Sequence, residues 1–191
     1  MQVLTKEEFR IRKNEIMSKI EAGAIFIHPT DTIYGIGCNA LDNKTVKKIR
    51  EIKERYTRPF SVIAPGKKWI YDNCITESEK IKDWIEKLPG PYTLILKLNN
   101  KNCIAPNVNT NLDTLGVRIP NHWFTGAVIE LGLPIVTTSA NITSGDFMTN
   151  IDNLSPKIKH KIDFIIYEGE KIGHPSEIID LTRKKVEVLK R

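Results

Sequence analysis

The segment PIVTTSANITSG, residues 134–145, decides the fold and indicates where a site lies. Its apolar, β-branched part at 135–138 predicts a buried strand. The sequence then changes to small hydroxyl and amide residues, beginning with Ser139 and Asn141. Ligands of open α/β sheets bind at the carboxyl ends of strands, so we interpret these residues as a candidate binding loop. A strand followed by a polar turn is the simpler explanation when this segment is considered alone.

A second segment, AIFIHPTDTIYGIG at 24–37, has the same form, with an apolar strand followed by hydroxyl residues such as Thr32. Gly35 and Gly37 suit a backbone that turns with positive φ or approaches a ligand closely. Neither a Walker-type phosphate loop nor a dinucleotide fingerprint occurs in the sequence. A turn-rich connection is the alternative interpretation.

Positive charge is concentrated in NKTVKKIREIKERYTRPFS, residues 43–61. Asn43 can cap a helix, and Lys53, Arg55 and Arg58 cluster where that helix should end. The helix dipole accounts for one or two cations there, whereas arginine forks bind phosphate or carboxylate in bidentate fashion. We favour ligand binding for the cluster. At a charged helix end, truncating these side chains should remove little of the core.

Two further segments carry candidate polar residues. TLGVRIP at 114–120 places Arg118 in an otherwise apolar strand, where a charged group needs a partner or a ligand. A structural ion pair and an anionic ligand remain open as alternatives for this arginine. HPSEIIDLT at 174–182 places Ser176 just before another strand.

Composition limits the class of protein. The 191 residues contain no Gly/Ser-rich linker and no internal repeat, so we expect a single domain over 1–191. The net charge is +6, which fits a polyanionic partner such as tRNA and fits a solvated lysine-rich surface equally well. The three cysteines form no motif, so we expect a reducing, cytoplasmic location. Scattered histidines and cysteines give no metal site, and the apolar runs are too short for a membrane span.

Hydrophobic periodicity predicts alternating helices and strands. Helices are expected at about 5–22 (with a capping box formed by Thr5 and Glu8), 43–54, 77–87, 122–131 and 152–160. Strands are expected at about 24–28, 60–64, 92–98, 115–119, 134–138, 163–167, 177–181 and 186–190, the last two as a hairpin. This alternation predicts a mixed α/β sheet.

In this order and at these separations, the segments resemble the YrdC/TsaC-like threonylcarbamoyl-AMP synthase family. The matching words are HPTDTIYGIGCNA at 28–40, Lys53-x-Arg55, RPFSV at 58–62, LPGPYTLIL at 88–96, TLGVRIP at 114–120, Ser139-x-Asn141 and PSEIIDLT at 175–182. The resemblance runs from about Glu21 to the end. It implies a twisted open mixed sheet flanked by helices, with a basic concave face. The family has proline after the arginine of the Lys-x-Arg pair, but Tyr56 follows here, so Arg55 and Arg58 both stay candidates for each phosphate contact.

The resemblance also implies the reaction and the residues that serve it. L-threonine, bicarbonate and ATP (with Mg²⁺) would give threonylcarbamoyl-AMP and pyrophosphate, for threonylcarbamoyladenosine modification of tRNA by a transferase partner. The implied catalytic residues are Lys53, Arg55, Ser139 and Asn141. The implied ATP-binding residues are these four with Arg58, Thr114, Ala140, Thr149 and Lys190. The implied threonine-binding residues are Thr32, Arg118, Thr138 and Ser176.

Two other functions remain as alternatives. A non-catalytic RNA-binding module would use the basic residues alone, which gives Thr32, Arg118 and Ser176 no purpose. A carbamoyl-adenylate activity, as in the related domain of hydrogenase-maturation carbamoyltransferases, is the second; those proteins carry additional domains, which we do not expect in this chain. Release of pyrophosphate that depends on threonine separates the three functions.

Overall fold

The sheet is the centre of the molecule. A computed structural model describes residues 1–143, 145–183 and 187–189, and within them ten strands form one sheet. In chain order the strands are β1 (Gln2–Leu4), β2 (Phe26–His28), β3 (Gly35–Gly37), β4 (Ser61–Ile63), β5 (Tyr92–Lys97), β6 (Thr114–Arg118), β7 (Ile135–Ser139), β8 (Phe164–Ile166), β9 (Glu177–Asp180) and β10 (Glu187–Leu189). Their spatial order is β1-β8-β2-β3-β7-β4-β6-β5-β9-β10. Parallel and antiparallel pairs are mixed, which confirms the predicted mixed α/β sheet.

Helices flank the sheet. They are α1 (Lys6–Ile11), α2 (Lys13–Glu21), α3 (Asn43–Lys53), α4 (Lys67–Asn73), α5 (Glu79–Glu86), α6 (Pro106–Asn109), α7 (Trp123–Leu131) and α8 (Pro156–Lys159), with a 3-10 turn at Lys101–Cys103. Across the described part of the chain, every helix is too short or too polar to cross a membrane.

The helix starts show which capping predictions hold. Thr5 and Glu8 form the predicted capping box, in which each side chain accepts from the other residue's N–H. The prediction that Asn43 caps α3 is wrong. Asp42, in extended conformation, accepts from the N–H groups of two first-turn residues, while Asn43 lies inside the helix and accepts from Asn107.

Three other expectations are corrected. The helix expected at 5–22 breaks at Arg12 into α1 and α2. The helix expected at 152–160 is reduced to α8, because Pro156 has no N–H to continue a helix from the preceding turn. Gly35 and Gly37 form strand β3 without positive φ, and an added Cβ at Gly35 would lie 2.9 Å from Nε2 of the buried His28.

Side chains alternate across the sheet and form two apolar clusters on its opposite faces. On one face Ile27 and Val62 pack with the buried side of α3. On the other, Phe26 and Ile63 pack with residues of α1, α2 and α7, among them Phe124. That second face is apolar only in part. Towards β4, β5, β6 and the end of β7 it carries small and polar side chains, and the candidate site lies there.

Candidate functional site

Two adjoining cavities occupy the polar part of this face. The inner cavity, about 30 Å³, is lined by Thr30, Ile33, Tyr34, Gly35, Ser61, Thr93, Arg118, Thr137, Thr138, Ser139, Pro175 and Ser176. The outer cavity, about 320 Å³, is lined by Arg55, Pro59, Phe60, Ser61, Thr93, Ile95, Leu112, Thr114, Gly116, Ile178, Asp180 and Thr182. Ser61 and Thr93 line both, so the cavities share a wall. Six of the residues predicted from sequence line one or the other.

The loop after β7 is held in one conformation by its own side chains. The Ser139 hydroxyl donates to Asn141 Oδ1, and Asn141 Nδ2 donates to the Gly145 carbonyl at 2.6 Å. The Lys53 ammonium donates to the carbonyls of Ser139 and Asn141 and to Asn141 Oδ1. The structure therefore brings together the Lys-x-Arg pair and the Ser-x-Asn pair, which lie 86 residues apart.

Lys53 is buried, and the expectation of an exposed helix end is wrong for this residue. Its exposed fraction is 1%, because α3 stops at Glu54 in the left-handed region (φ 52°) and the lysine side chain turns beneath the β7 loop. Thr143 caps this end by donating from its N–H and its hydroxyl to the Lys53 carbonyl. Burial, reinforced by the neighbouring Arg55 cation, lowers the pKa of the Lys53 ammonium to about 7. Its role towards phosphate stays a prediction.

The two arginines of the basic loop differ in position. Arg55 is half-buried and lines the outer cavity, with Nη2 donating to the Pro59 carbonyl at 2.6 Å and Nη1 donating to the Thr138 hydroxyl at 3.4 Å. Arg58 is exposed at the surface. Of the two, Arg55 is therefore the one whose guanidinium already faces a cavity.

Arg118 makes an ion pair and also lines the inner cavity. Its Nη2 donates to Asp31 Oδ1 at 2.7 Å and to the Thr32 hydroxyl at 3.3 Å, and both partners of the pair are nearly buried. Asp31 in turn accepts from the Asn121 N–H at 2.9 Å. The ion pair left open by the sequence is present, and a ligand role for Arg118 stays a prediction. Sequence reasoning missed Asp31, although a carboxylate beside Thr32 was a usable signal.

Residues 168–176, which we call the strap, lie near the inner cavity, and the last of them, Ser176, lines it. Ser176 Oγ lies 2.7 Å from the Thr93 hydroxyl. At the other end the Tyr34 hydroxyl donates to the Gly169 carbonyl at 2.6 Å. Between these anchors Gly173 lies against the backbone of Thr32, where an added Cβ would be 2.4 Å from the carbonyl oxygen.

Comparison with known proteins identifies the family. The family model Sua5/YciO/YrdC, described as telomere recombination, matches residues 18–191. This chain belongs to that family. A Methanocaldococcus jannaschii protein, provisionally named a threonylcarbamoyl-AMP synthase, is 37% identical over 188 residues, covering 94% of this chain and 86% of its own. The threonylcarbamoyl-AMP synthase of Pyrococcus abyssi is 36% identical over 92% of this chain and 52% of its own.

Solved structures of the Sua5/YciO/YrdC family share this fold. The crystal structure of P. abyssi Sua5 complexed with L-threonine has a TM-score of 0.86 and 31% identity, over 98% of this chain and 56% of that one. Escherichia coli YciO has a TM-score of 0.84 at 21% identity, which is a likeness of fold. The twisted sheet flanked by helices is thus confirmed. This chain spans about half the length of the P. abyssi protein.

Among the described residues predicted to bind the nucleotide, five line neither cavity: Lys53, Arg58, Ala140, Asn141 and Thr149. The Thr149 hydroxyl accepts from the Asn153 amide at 2.8 Å. Ala140 is 2% exposed, and its N–H donates to the Tyr34 carbonyl. Lys190 lies outside the described residues. The nucleotide-binding role of Thr149, Ala140 and Lys190 therefore stays a prediction.

The donor atoms of the site limit how a metal ion could be bound. Among the residues that the structure describes, no three His, Cys, Asp or Glu groups lie together. Mg²⁺ commonly keeps several waters and is bound through one or two carboxylates and substrate phosphates. Asp180 lines the outer cavity and is the carboxylate that would serve in this mode. Its Oδ1 already accepts from the N–H and the hydroxyl of Thr182, and its Oδ2 lies 3.5 Å from Arg183 Nε.

Proposed function

We propose that this chain is a threonylcarbamoyl-AMP synthase, a nucleotidyltransferase that converts L-threonine, bicarbonate and ATP to threonylcarbamoyl-AMP and pyrophosphate. The observation that carries the proposal is the pair of adjoining cavities, one lined by Arg118 and the other by Arg55, with Ser61 and Thr93 between them. One cation suits a carboxylate and the other a phosphate chain. The names of the 36–37% identical relatives support the same reaction.

Threonine is assigned to the inner cavity. The Arg118 guanidinium would bind its carboxylate, and the hydroxyls of Thr32, Thr138 and Ser176 would take its ammonium and hydroxyl groups. Ile33 supplies an apolar wall for the methyl group. Asp31 fixes the direction of the guanidinium by accepting from Nη2.

The triphosphate is assigned to the outer cavity and the adjoining β7 loop. Bicarbonate would lose water to give CO₂, and the threonine nitrogen would bond to the carbon of CO₂ and lose a proton to solvent. A carbamate oxygen would then bond to the α-phosphorus while the bond to the leaving pyrophosphate breaks. Arg55 and Arg58 would neutralise charge on the leaving group, since positioned cations act there without reorganisation. Lys53 would hold Ser139 and Asn141 in place for the same phosphates. Mg²⁺, bound with ATP, would add further neutralisation.

The cellular context is proposed from the same features. The product would serve threonylcarbamoyladenosine formation on tRNA, with a transferase partner and a basic concave face for the polyanion. Residues 1–191 would act as a single domain. A cytoplasmic location is supported by three buried, unbridged cysteines, since all three in the sequence are described.

The experiment is a pyrophosphate-release assay on the purified chain with ATP, in which L-threonine and bicarbonate are withheld in turn. We expect release only when both are present, and a poor rate with glycine, since a lost buried hydrogen bond costs about 1–3 kcal/mol. Equal release without threonine would exclude the synthase. Release with carbamoyl phosphate instead would favour the carbamoyl-adenylate activity, and no release at all would favour an RNA-binding module.

A further inference from the structure

Arg50 lies on the buried side of α3, three residues before Lys53, and is 4% exposed. Its guanidinium makes four hydrogen bonds to main-chain oxygens of two other segments. Nη1 donates to the carbonyls of Arg55 and Arg58 at 2.9 and 3.0 Å, and Nε and Nη2 donate to the carbonyls of Asn107 and Val108 at 2.7 and 3.2 Å.

These contacts join two segments that both contribute to the lining of the outer cavity. The first pair holds the basic loop between α3 and β4, which carries Arg55 and leads into Phe60. The second pair holds α6, and the segment after α6 supplies Leu112 and Thr114 to the same cavity. The guanidinium carbon also lies 4.5 Å from the centre of the Phe60 ring, which fixes that wall further.

We propose that Arg50 is a positioning residue for ATP, which sets the place of the basic loop and the spacing of the outer cavity's walls without touching the nucleotide. The proposal rests on the proposed function for the identity of the ligand. A planar fork is required because three nitrogens reach four carbonyls in fixed directions. A lysine keeps the charge, but its single nitrogen cannot reach both segments in the same directions.

The test compares Arg50→Lys and Arg50→Gln with wild type. Isothermal titration of ATP should give a dissociation constant raised about tenfold in both variants, because a misplaced loop weakens phosphate contacts. Titration of L-threonine should stay within about twofold, because none of the residues that Arg50 contacts lines the inner cavity. Hydrogen exchange should rise at residues 54–60 in both variants.

Asn73→Ala is the matched control. Asn73 is 8% exposed in α4, where its side chain donates to Trp69 and accepts from Asn100, both at 2.8 Å. This variant should lower the melting temperature and leave ATP affinity within about twofold, because Asn73 lines neither cavity.

The outcomes separate the two proposals. Unchanged ATP affinity in folded Arg50→Lys and Arg50→Gln would overturn the role of Arg50, as would an equal loss in Asn73→Ala. A wild-type chain that binds ATP but releases no pyrophosphate would contradict the proposed function, and the Arg50 comparison would still decide this inference. A wild-type chain that does not bind ATP would overturn both.

Discussion

Arg118 pairs with a carboxylate of its own chain while it lines the cavity that we propose for the threonine carboxylate. Asp31 lies 2.7 Å from one guanidinium nitrogen, so the arginine would be oriented before the proposed threonine carboxylate binds. Removing either partner of a buried pair can cost about 3–5 kcal/mol of stability. Orientation and ligand binding are therefore best separated with a substitution that keeps the charge.

Arg118→Lys should raise KM for threonine far more than KM for ATP. The charge opposite Asp31 remains but the bidentate fork is lost, so threonine use should weaken by about 1.5–3 kcal/mol. Steady-state kinetics with each substrate varied, together with thermal unfolding, would measure this. A large fall in melting temperature with an unchanged threonine KM would assign Arg118 to structure alone.

Lys53 should make stability rise with pH above neutrality. Its folded pKa of about 7 lies below the unfolded value near 10.4, so between these values the unfolded chain binds the additional proton. The free energy of unfolding should gain up to about 1.4 kcal/mol per pH unit in this window from this group. Below pH 7 both states are protonated and the slope from Lys53 disappears.

Lys53→Met isolates that contribution. Urea unfolding of wild type and variant at pH 7, 8 and 9 should show a flatter pH dependence in the variant, because methionine does not titrate. The variant should also be less stable overall, since the Ser139 and Asn141 carbonyls lose their donor. Identical slopes would mean that Lys53 keeps an ordinary pKa in the folded protein.

Among the elements, α3 supplies support to both sides of the site. Arg50 and Lys53 both turn inward from it, one towards the basic loop and the other towards the β7 loop. The amphipathic period of 43–54 predicted the helix well. It could not predict that two cations share the buried side, because their acceptors are carbonyls up to 88 residues away in sequence.

The strap should control threonine binding through Gly173. An added Cβ must displace the strap or the Thr32 carbonyl, and such overpacking costs about 1–3 kcal/mol. Because Ser176 and Thr32 belong to the proposed threonine pocket, Gly173→Ala should raise KM for threonine. Substrate kinetics on the folded variant would measure the effect.

Gly126→Ala is the control for Gly173→Ala. Gly126 lies in α7 with open space where a Cβ would stand, and alanine favours a helix. Its kinetic constants should match wild type. If both variants raised the threonine KM alike, the effect would not come from the strap.

Elements with strong local signals were predictable, and those defined by distant contacts were not. The strand expected at 134–138 is β7, displaced by one residue, and the hairpin expected near the end is β9 with β10 over its described residues. β3 was missed because glycine disfavours strands. Glycine is needed there because the His28 ring and the Val136 carbonyl occupy the space that a Cβ would take at Gly35 and Gly37. In the site, the sequence predicted several of the residues that line the cavities. It did not predict the contacts that orient them, such as the ion pair between Asp31 and Arg118.

On the scale of the whole molecule, the three cysteines should be inert in the native state. Cys38 and Cys74 are 0% and 1% exposed and Cys103 is 8% exposed. Burial raises the pKa of all three thiols, to about 12 for Cys74 and about 11 for Cys103, and the thiolate is the reactive form. A colorimetric thiol reagent should therefore modify them only after denaturant is added. Rapid modification of the folded chain would show that these parts of the core open readily.

The central place of β7 has a consequence for biosynthesis. It is the strand that joins β3 to β4, yet more than seventy residues separate it from both in order of translation. Until Ile135 has emerged from the ribosome, the nascent chain can form a β2–β3 ribbon and a β4–β6–β5 sheet. The edges of β3 and β4 that later pair with β7 are then unprotected. Such edges pair readily with other chains. Chains whose translation stops before residue 135 should consequently aggregate, and such fragments are substrates for holdase chaperones and proteases.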